Sequence, residues 1–448
     1  MDTSLIFKAY DVRGTYPDQL NEDVARATGS AFATFVAAPS IVVARDMRPS
    51  GPSLVAAFAE GVRRVGVEVV DIGLASTDLL YFASGHLDSP GAMFTASHNP
   101  AQYNGIKMCL AAAKPIGLET GLAEIERLTN EFLASPATGA PAPMSERRVI
   151  DDWVAHVHSF IDTSALRPIK IVADTANGMG GYVAPLIFAG LPFDVEILYP
   201  ELDGTFPNHP ADPLNPANIV DLQRRVLEVG ADIGLAFDGD ADRVFLIDET
   251  ARGISGSTTT AMVAASLLDK NPGATILYNV ICSKSVAEVI AEHGGVGVRT
   301  RVGHSFIKQT MAETNAVFGG EHSGHYYYRD NYRADSGIIT ALVVLELLSN
   351  FDGPLSELVR PFNRYAVSGE INTAVSDPHA TIAEVTQYVR AQGARIDELD
   401  GLTADYGDWW FNLRPSNTEP LLRLNVEAAS EESCQQHVAA VLALITAK

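Results

Sequence analysis

Residues 233–247 read Ile-Gly-Leu-Ala-Phe-Asp-Gly-Asp-Ala-Asp-Arg-Val-Phe-Leu-Ile, and this stretch decides the fold. Two apolar runs, Ile233 to Phe237 and Val244 to Ile247, are short enough for buried strands and flank a polar loop of six residues. Within the loop, Asp238, Asp240 and Asp242 alternate, with Gly239 between the first two. Three carboxylates so spaced make a hard-oxygen cage for a divalent cation. A calcium EF-hand would even find Glu249 at its twelfth position. Against that, Arg243 stands where the calcium loop needs glycine, and both flanks read as strands, not helices. Three aspartates leave coordination room for water or a phosphate oxygen, a habit of Mg²⁺. The rival is a plain acidic turn, which two buried flanks disfavour.

Outward from this loop, strand-like runs alternate with helix-like stretches. Ser40 to Ala44, Val65 to Ile72 and Ala92 to Thr95 form one series. Ile169 to Asp174, Phe193 to Leu198 and Ile233 to Phe237 form a second. Ala274 to Val280, Gly297 to Val302 and Ala316 to Phe318 form a third. Such alternation predicts α/β domains with largely parallel sheets. Ala134 to Pro143, rich in Pro, Ala, Gly and Ser, reads as a linker or exposed loop. Past Tyr365 the pattern changes: strands at Asn372 to Val375, Trp410 to Leu413 and Leu421 to Glu427 precede a helix at Glu431 to Ala447. The expected architecture is three similar α/β units plus a smaller C-terminal α+β domain, divided as 1–148, 149–252, 253–364 and 365–448.

Length and composition agree. The 448 residues suffice for several domains and a large core. Hydrophobic content of 47% and charged content of 19% exclude a disordered chain. With 32 Lys and Arg against 55 Asp and Glu, the net charge is −23, which argues against nucleic-acid or anionic-membrane binding but not against a small anion held by a local basic cluster. Cys109, Cys282 and Cys434 are scattered, giving neither a disulfide framework nor a zinc pattern. Met1 to Ser4 has no basic or apolar leader character, and the longest apolar runs fall short of the ~20 residues of a membrane span. The expectation is a soluble, cytoplasmic protein.

Three further loops have chemistry-bearing side chains. Thr95-Ala96-Ser97-His98-Asn99-Pro100 follows an apolar strand; it reads either as a capping turn or as a loop presenting Ser97 as nucleophile or phosphoryl carrier. His98 is a poor base for its own neighbour, because adjacent side chains diverge, and the Gly-x-Ser-x-Gly elbow of serine hydrolases is absent. Lys107 is the freer candidate for proton transfer or phosphate contact. Gly319-Gly320-Glu321-His322-Ser323-Gly324-His325 can read sugar hydroxyls through Glu321 and Ser323, or be a plain glycine-rich turn. Its histidine pair has no third metal ligand at useful spacing. Arg414-Pro415-Ser416-Asn417-Thr418-Glu419-Pro420 gathers donors suited to a phosphate ester, or is an ordinary hairpin turn; Arg423 beyond it is a structural candidate.

In order, and with Ala9 to Gly14, Asp203 to His209 and Gly303-His304-Ser305, these motifs resemble the α-D-phosphohexomutase family, specifically bacterial phosphomannomutase/phosphoglucomutase members, nearly end to end. The resemblance implies four domains around a central cleft and the isomerisation of mannose 6-phosphate and mannose 1-phosphate, and of glucose phosphates, through a phosphoserine and a 1,6-bisphosphate. It makes Ser97 the phosphoserine, and Asp238, Asp240, Asp242 and the phosphorylated Ser97 the Mg²⁺ ligands. Arg13 and Lys107 then assist proton transfer, Arg243 stabilises the reacting centre, and His98 belongs to the catalytic group. Glu321, Ser323, His304 and Gly320 line the sugar site; Arg414, Ser416, Asn417 and Thr418 bind the non-reacting phosphate. Glucose or mannose 1,6-bisphosphate would be the activator, a hexose phosphate the substrate, GDP-mannose supply the context, and the chain a monomer or dimer. Two departures stand out: Ile281 where some relatives have Lys, with Lys284 nearby, and His322 where Met is common. A phosphoglucosamine mutase and a Mg²⁺-dependent phosphomonoesterase are the alternatives.

Overall fold

A computed structural model describes residues 2–416 and 421–446. The chain forms two compact units: Met1–Ser255 with Ser323–Leu358, and Gly256–His322 with Val359–Lys448.

The first unit contains two sheets. In one, the strands run in the order Val12–Thr15, Tyr103–Leu110, Gly91–Phe94, Ser40–Arg45, Glu68–Leu74, Met144–Glu146. Ser40–Arg45 is parallel to both its neighbours, whereas Tyr103–Leu110 is antiparallel to Gly91–Phe94 and to Val12–Thr15. Helices Glu22–Val36 and Gly51–Arg64 bury their apolar faces here: Phe32, Phe58 and Phe94 share one core, and Phe58 meets Phe94 edge-on at 5.3 Å. Asn21 starts the first of these helices by accepting from the Val24 amide, which satisfies an amide that has no partner within the helix.

In the other sheet, Lys170–Asp174 is parallel to Asp194–Leu198 and to Ile233–Phe237, and Val244–Asp248 then turns back antiparallel to Ile233–Phe237, from Ile233↔Asp248 to Phe237↔Val244. The sheets are therefore mixed rather than largely parallel. The reason is loop length: a parallel return needs a crossover of a dozen or more residues, and the six of Asp238–Arg243 permit only a hairpin. Its flanks are strands, as the apolar runs required. The strand Tyr326–Tyr328 and the helix Gly337–Ser349 complete this unit.

In the second unit, Thr275–Asn279 is parallel to Val296–Thr300 and to Phe318–Gly320. The last strand lies two residues later than Ala316 to Phe318, because Gly319 and Gly320 continue the pairing with Leu277 and Tyr278. The C-terminal part is antiparallel, in the order Ala366–Val367, Leu421–Ala428, Trp409–Pro415, Leu402–Asp405, Arg395–Asp397, with Ile371–Ala374 also on Leu421–Ala428. Pro378–Ala391 and Glu431–Thr446 contribute Val385, Val389, Val441 and Ile445 to the same core as Leu413 and Leu424. The three cysteines are buried and form no disulfide among the described residues. Among the described residues no helix is long and apolar enough to cross a membrane.

Candidate active site

Ser97 lies just past the strand Gly91–Phe94, is 5% exposed, and has a left-handed backbone (φ 50°). A residue with a side chain holds that conformation only when its surroundings fix it. Arg48, 1% exposed, is what fixes it. Its Nη2 donates to the carbonyls of Ser97 and Asn99 at 2.9 and 2.7 Å, its Nη1 to those of Pro100 and Tyr103 at 2.9 and 2.8 Å. Asp46, wholly buried, neutralises it across 3.2 Å.

The aspartate loop comes up against this turn. A Cβ on Gly239 would lie 2.4 Å from the Ser97 carbonyl oxygen, so glycine is obligatory there. Ser97 Oγ donates to Asp238 Oδ2 at 2.7 Å and accepts from Arg243 Nη2 at 3.0 Å; Arg243 Nε donates to the same carboxylate at 2.9 Å. Lys107, on Tyr103–Leu110, donates to Asp240 Oδ2 at 2.8 Å and Asp242 Oδ2 at 2.6 Å, and Thr77 Oγ1 donates to Asp240 at 2.5 Å. Arg13 Nη1 donates to Asn99 at 2.9 Å and Nη2 to Asp11 at 2.5 Å. Ser97, His98, Arg13, Lys107, Arg243 and the three aspartates, drawn from separate segments of the first unit, are thus linked by contacts into one cluster.

Burial costs these charges most of their hydration, and the balance differs at each. Burial pushes the Asp238 carboxyl well up, helped by Asp242 and Asp240 and opposed by Arg243. At Asp240 burial is outweighed by Lys107 and Thr77, which hold the carboxyl well down. Lys107 pays the same burial cost, and Asp240 and Asp242 more than offset it, keeping the ammonium charged. The Arg243 guanidinium, then burial, press His98 well below the ordinary histidine value. Arg243 Nη2 contacts His98 Nδ1; a guanidinium cannot accept, so Nδ1 accepts and the neutral ring has its proton on Nε2.

The aspartates fit a hard cation. Asp238, Asp240 and Asp242 present oxygens within 4.8 Å of one another, and the buried Oδ1 atoms of Asp240 and Asp242 accept no hydrogen bond from the described residues. Buried carboxylate oxygens without donors are what a metal satisfies. A second group, Asp242, His325 and Asp335, lies beside them, with His325 Nε2 3.8 Å from Asp242 Oδ1. This corrects the reading of the His322–His325 pair: His325 does meet two further potential ligands, Asp242 from the distant aspartate loop and Asp335 from later in its own segment. The sequence reading missed Arg48, Asp46, His325 and Asp335; the only signal was that Arg45-Asp46 ends an apolar strand.

In the second unit, Glu321 Oε1 accepts from Asn279 Nδ2 and the Gly303 amide, both at 3.1 Å. His304 opens the helix His304–Thr314. His322 Nδ1 lies 3.0 Å from Ser257 Oγ. Gly320 packs against Thr260. Ser323 belongs to the first unit, its Oγ 3.1 Å from His325 Nδ1. Lys284 is committed to Asp405 and the Gly407 carbonyl at 2.9 and 2.6 Å. Arg414 Nη2 donates to Glu370 at 2.8 Å, and the Ser416 amide to the Leu421 carbonyl. Asn417 and Thr418 lie outside the described residues.

Four family models match along the chain: phosphoglucomutase/phosphomannomutase alpha/beta/alpha domains I (4–134), II (151–253) and III (255–365), and the C-terminal domain (370–444). The chain belongs to the phosphoglucomutase/phosphomannomutase family, as an isomerase with three similar α/β domains and a smaller C-terminal one, acting in phosphoryl transfer on hexose phosphates. It is 41% identical to a Xanthomonas campestris protein named for phosphohexose mutases, over 95% of each chain, and 39% identical to the phosphomannomutase of Escherichia coli K12, again over 95% of each. A crystal structure of a phosphoglucomutase/phosphomannomutase family protein from Burkholderia thailandensis superposes with a TM-score of 0.91 at 33% identity, covering 100% of this chain and 98% of that one.

Proposed function

We propose that the chain interconverts mannose 6-phosphate and mannose 1-phosphate, and the glucose phosphates as well, through phospho-Ser97 and a hexose 1,6-bisphosphate. The observation that supports this most is a buried serine hydroxyl held between Asp238 and Arg243, beside a carboxylate set short of donors.

In the forward half-reaction the free hydroxyl of the hexose monophosphate attacks the phosphorus on Ser97. The new O–P bond forms as the Oγ–P bond breaks, and Arg243 balances the charge on the transferring group. Lys107, Arg13 and His98 assist removal of the hydroxyl proton: the charged Lys107, held against Asp240 and Asp242, takes it up only as it passes one of its own protons to those carboxylates. In the second half-reaction Ser97 Oγ attacks the other phosphorus of the turned bisphosphate; as the Oγ–P bond forms, that phosphorus parts from the sugar oxygen, which takes back the proton held by the carboxylate and lysine group. Asp238, Asp240, Asp242 and the phosphoryl oxygen on Ser97 would hold Mg²⁺, which when bound supplies positive charge to the transferring phosphoryl group. Glu321, Ser323, His304 and Gly320 read the sugar; Arg414, Ser416, Asn417 and Thr418 hold the phosphate that is not reacting. The functional domains are 1–148, 149–252, 253–364 and 365–448, and the product feeds GDP-mannose supply in the cytoplasm.

Coupled turnover of mannose 1-phosphate, glucose 1-phosphate and glucosamine 1-phosphate, with Mg²⁺ and catalytic glucose 1,6-bisphosphate, tests the reading. Conversion of the first two, stimulated by bisphosphate and lost on chelation, is expected. Preference for the amino sugar would make the chain a phosphoglucosamine mutase. Release of inorganic phosphate without isomerisation would sink the mutase reading.

A further inference from the structure

Arg414 on Trp409–Pro415 and Arg423 on Leu421–Ala428 are direct partners in an antiparallel register. Like charges so placed repel and weaken a sheet. One carboxylate offsets both: Glu370 Oε2 accepts from Arg414 Nη2 at 2.8 Å, and its Oε1 lies 3.5 Å from Arg423 Nη1. The offset is incomplete. Among the described residues two positive charges meet one negative charge, and the buried Nε of each arginine has no hydrogen-bond partner. The Arg414 side chain is 10% exposed, whereas that of Glu370, which precedes the strand Ile371–Ala374, is 30% exposed.

A phosphate monoester answers this deficit better than a carboxylate does. It brings close to two negative charges at neutral pH and three acceptor oxygens, and guanidinium forks match it in two-point contacts. Where it binds, the Glu370 carboxylate is a like charge beside it; where it leaves, the same carboxylate is at hand to take its place. Glu370 therefore subtracts from phosphate affinity and lowers the barrier to release.

We propose that Glu370 is the displaceable counter-ion of the phosphate cradle: it holds Arg414 and Arg423 in the absence of a phosphate ester, yields to the ester's phosphate, and thereby sets how tightly and how long the non-reacting phosphate is kept. This rests on the phosphate-binding role given to Arg414 above. A reaction whose intermediate must exchange its two ends needs a grip that lets go, and a carboxylate beside the same sheet contributes to that.

The test is titration calorimetry of the wild-type chain, E370Q and R414Q with inorganic phosphate and with mannose 1-phosphate, alongside melting curves and steady-state kinetics. E370Q should bind both probes about three- to tenfold more tightly, and KM and kcat should fall together as release slows. A purely structural Glu370 would lower the melting temperature and leave those affinities alone. Unchanged or weaker binding in folded E370Q overturns the inference. A crystal structure of the wild-type chain with mannose 1-phosphate bound needs no substitution: Glu370 should have parted from Arg414 Nη2, and retention of that pair beside bound phosphate overturns it too. If R414Q binds both probes as well as wild type does, the cradle assignment itself fails. If R414Q weakens binding and E370Q does not tighten it, only the role of Glu370 fails.

Discussion

Around Ser97 the charged side chains are buried and matched with one another: Lys107 spans two aspartates, Arg243 holds Asp238, and Asp46 holds Arg48. Around Arg414 the opposite holds: two guanidiniums share one partly exposed carboxylate. The first arrangement has paid its reorganisation on folding and can meet a developing charge without moving. The second keeps donors unfilled among the described residues and, on the proposal above, a replaceable partner, which suits binding and letting go. A rigid chemical centre and an exchangeable grip are thus built from the same residue types, distinguished by burial and by stoichiometry of charge.

The sharpest way to break this contrast is to remove the group on which the rigid centre converges. Ser97→Ala should reduce turnover by at least about 10⁴-fold with the melting temperature little changed; residual turnover near wild type would deny Ser97 any role in the chemistry. Lys107→Ala should cost about 3–5 kcal/mol in chemical denaturation, because two buried carboxylates lose their partner. Added Mg²⁺ should restore more stability to that variant than to wild type. Equal Mg²⁺ effects on both would show that the aspartates do not take the cation.

Arg48→Lys tests whether the four-carbonyl clamp positions Ser97 or merely fills space. A lysine cannot span all four carbonyls, so kcat should drop about 10²-fold with KM nearly constant, as expected for a misplaced reacting group. Loss of folded protein with unchanged kcat per folded molecule would mean a structural role alone. The smallest effect concerns Asp78, buried at the start of the helix Thr77–His86. It accepts from Ser336 Oγ at 2.6 Å and from Ser76 Oγ, and burial pushes it up to about 7 despite both. The native state then binds its proton more tightly than the unfolded chain. Stability is full below the ordinary carboxyl range near 3.8 and falls as pH rises towards 7. Asp78→Asn should flatten that fall between pH 4 and pH 8; parallel pH profiles would refute it.

Much of the centre was legible because its pieces sit where strand patterns end. Asp238 to Arg243 lies between two apolar runs, and Ser97 follows a third, so the loops announced both their chemistry and their place at strand ends. The flanks of the aspartate loop excluded the EF-hand, and the structure agrees. Less legible was the sense of the sheets: counting apolar runs cannot tell parallel from antiparallel, whereas loop length could have, since six residues cannot make a crossover. His325 was discounted as a ligand because its near neighbours offered nothing, yet Asp242 and Asp335 reach it.

What the sequence determined by itself is the set of local chemistries: an acidic loop fit for a hard cation, a hydroxyl loop, a glycine-rich loop, an arginine loop, and the α/β alternation that separates them. These depend on period, spacing and side-chain type, all of which are local. Only the tertiary structure decided that Ser97 and Asp238, 141 positions apart, share a hydrogen bond, that Arg48 holds the Ser97 turn in its left-handed backbone, and that one glutamate stands between two arginines. Those are contacts between segments far apart in the chain, and the free energy that fixes them comes from burying charge and packing strands together, which no single stretch of sequence contains.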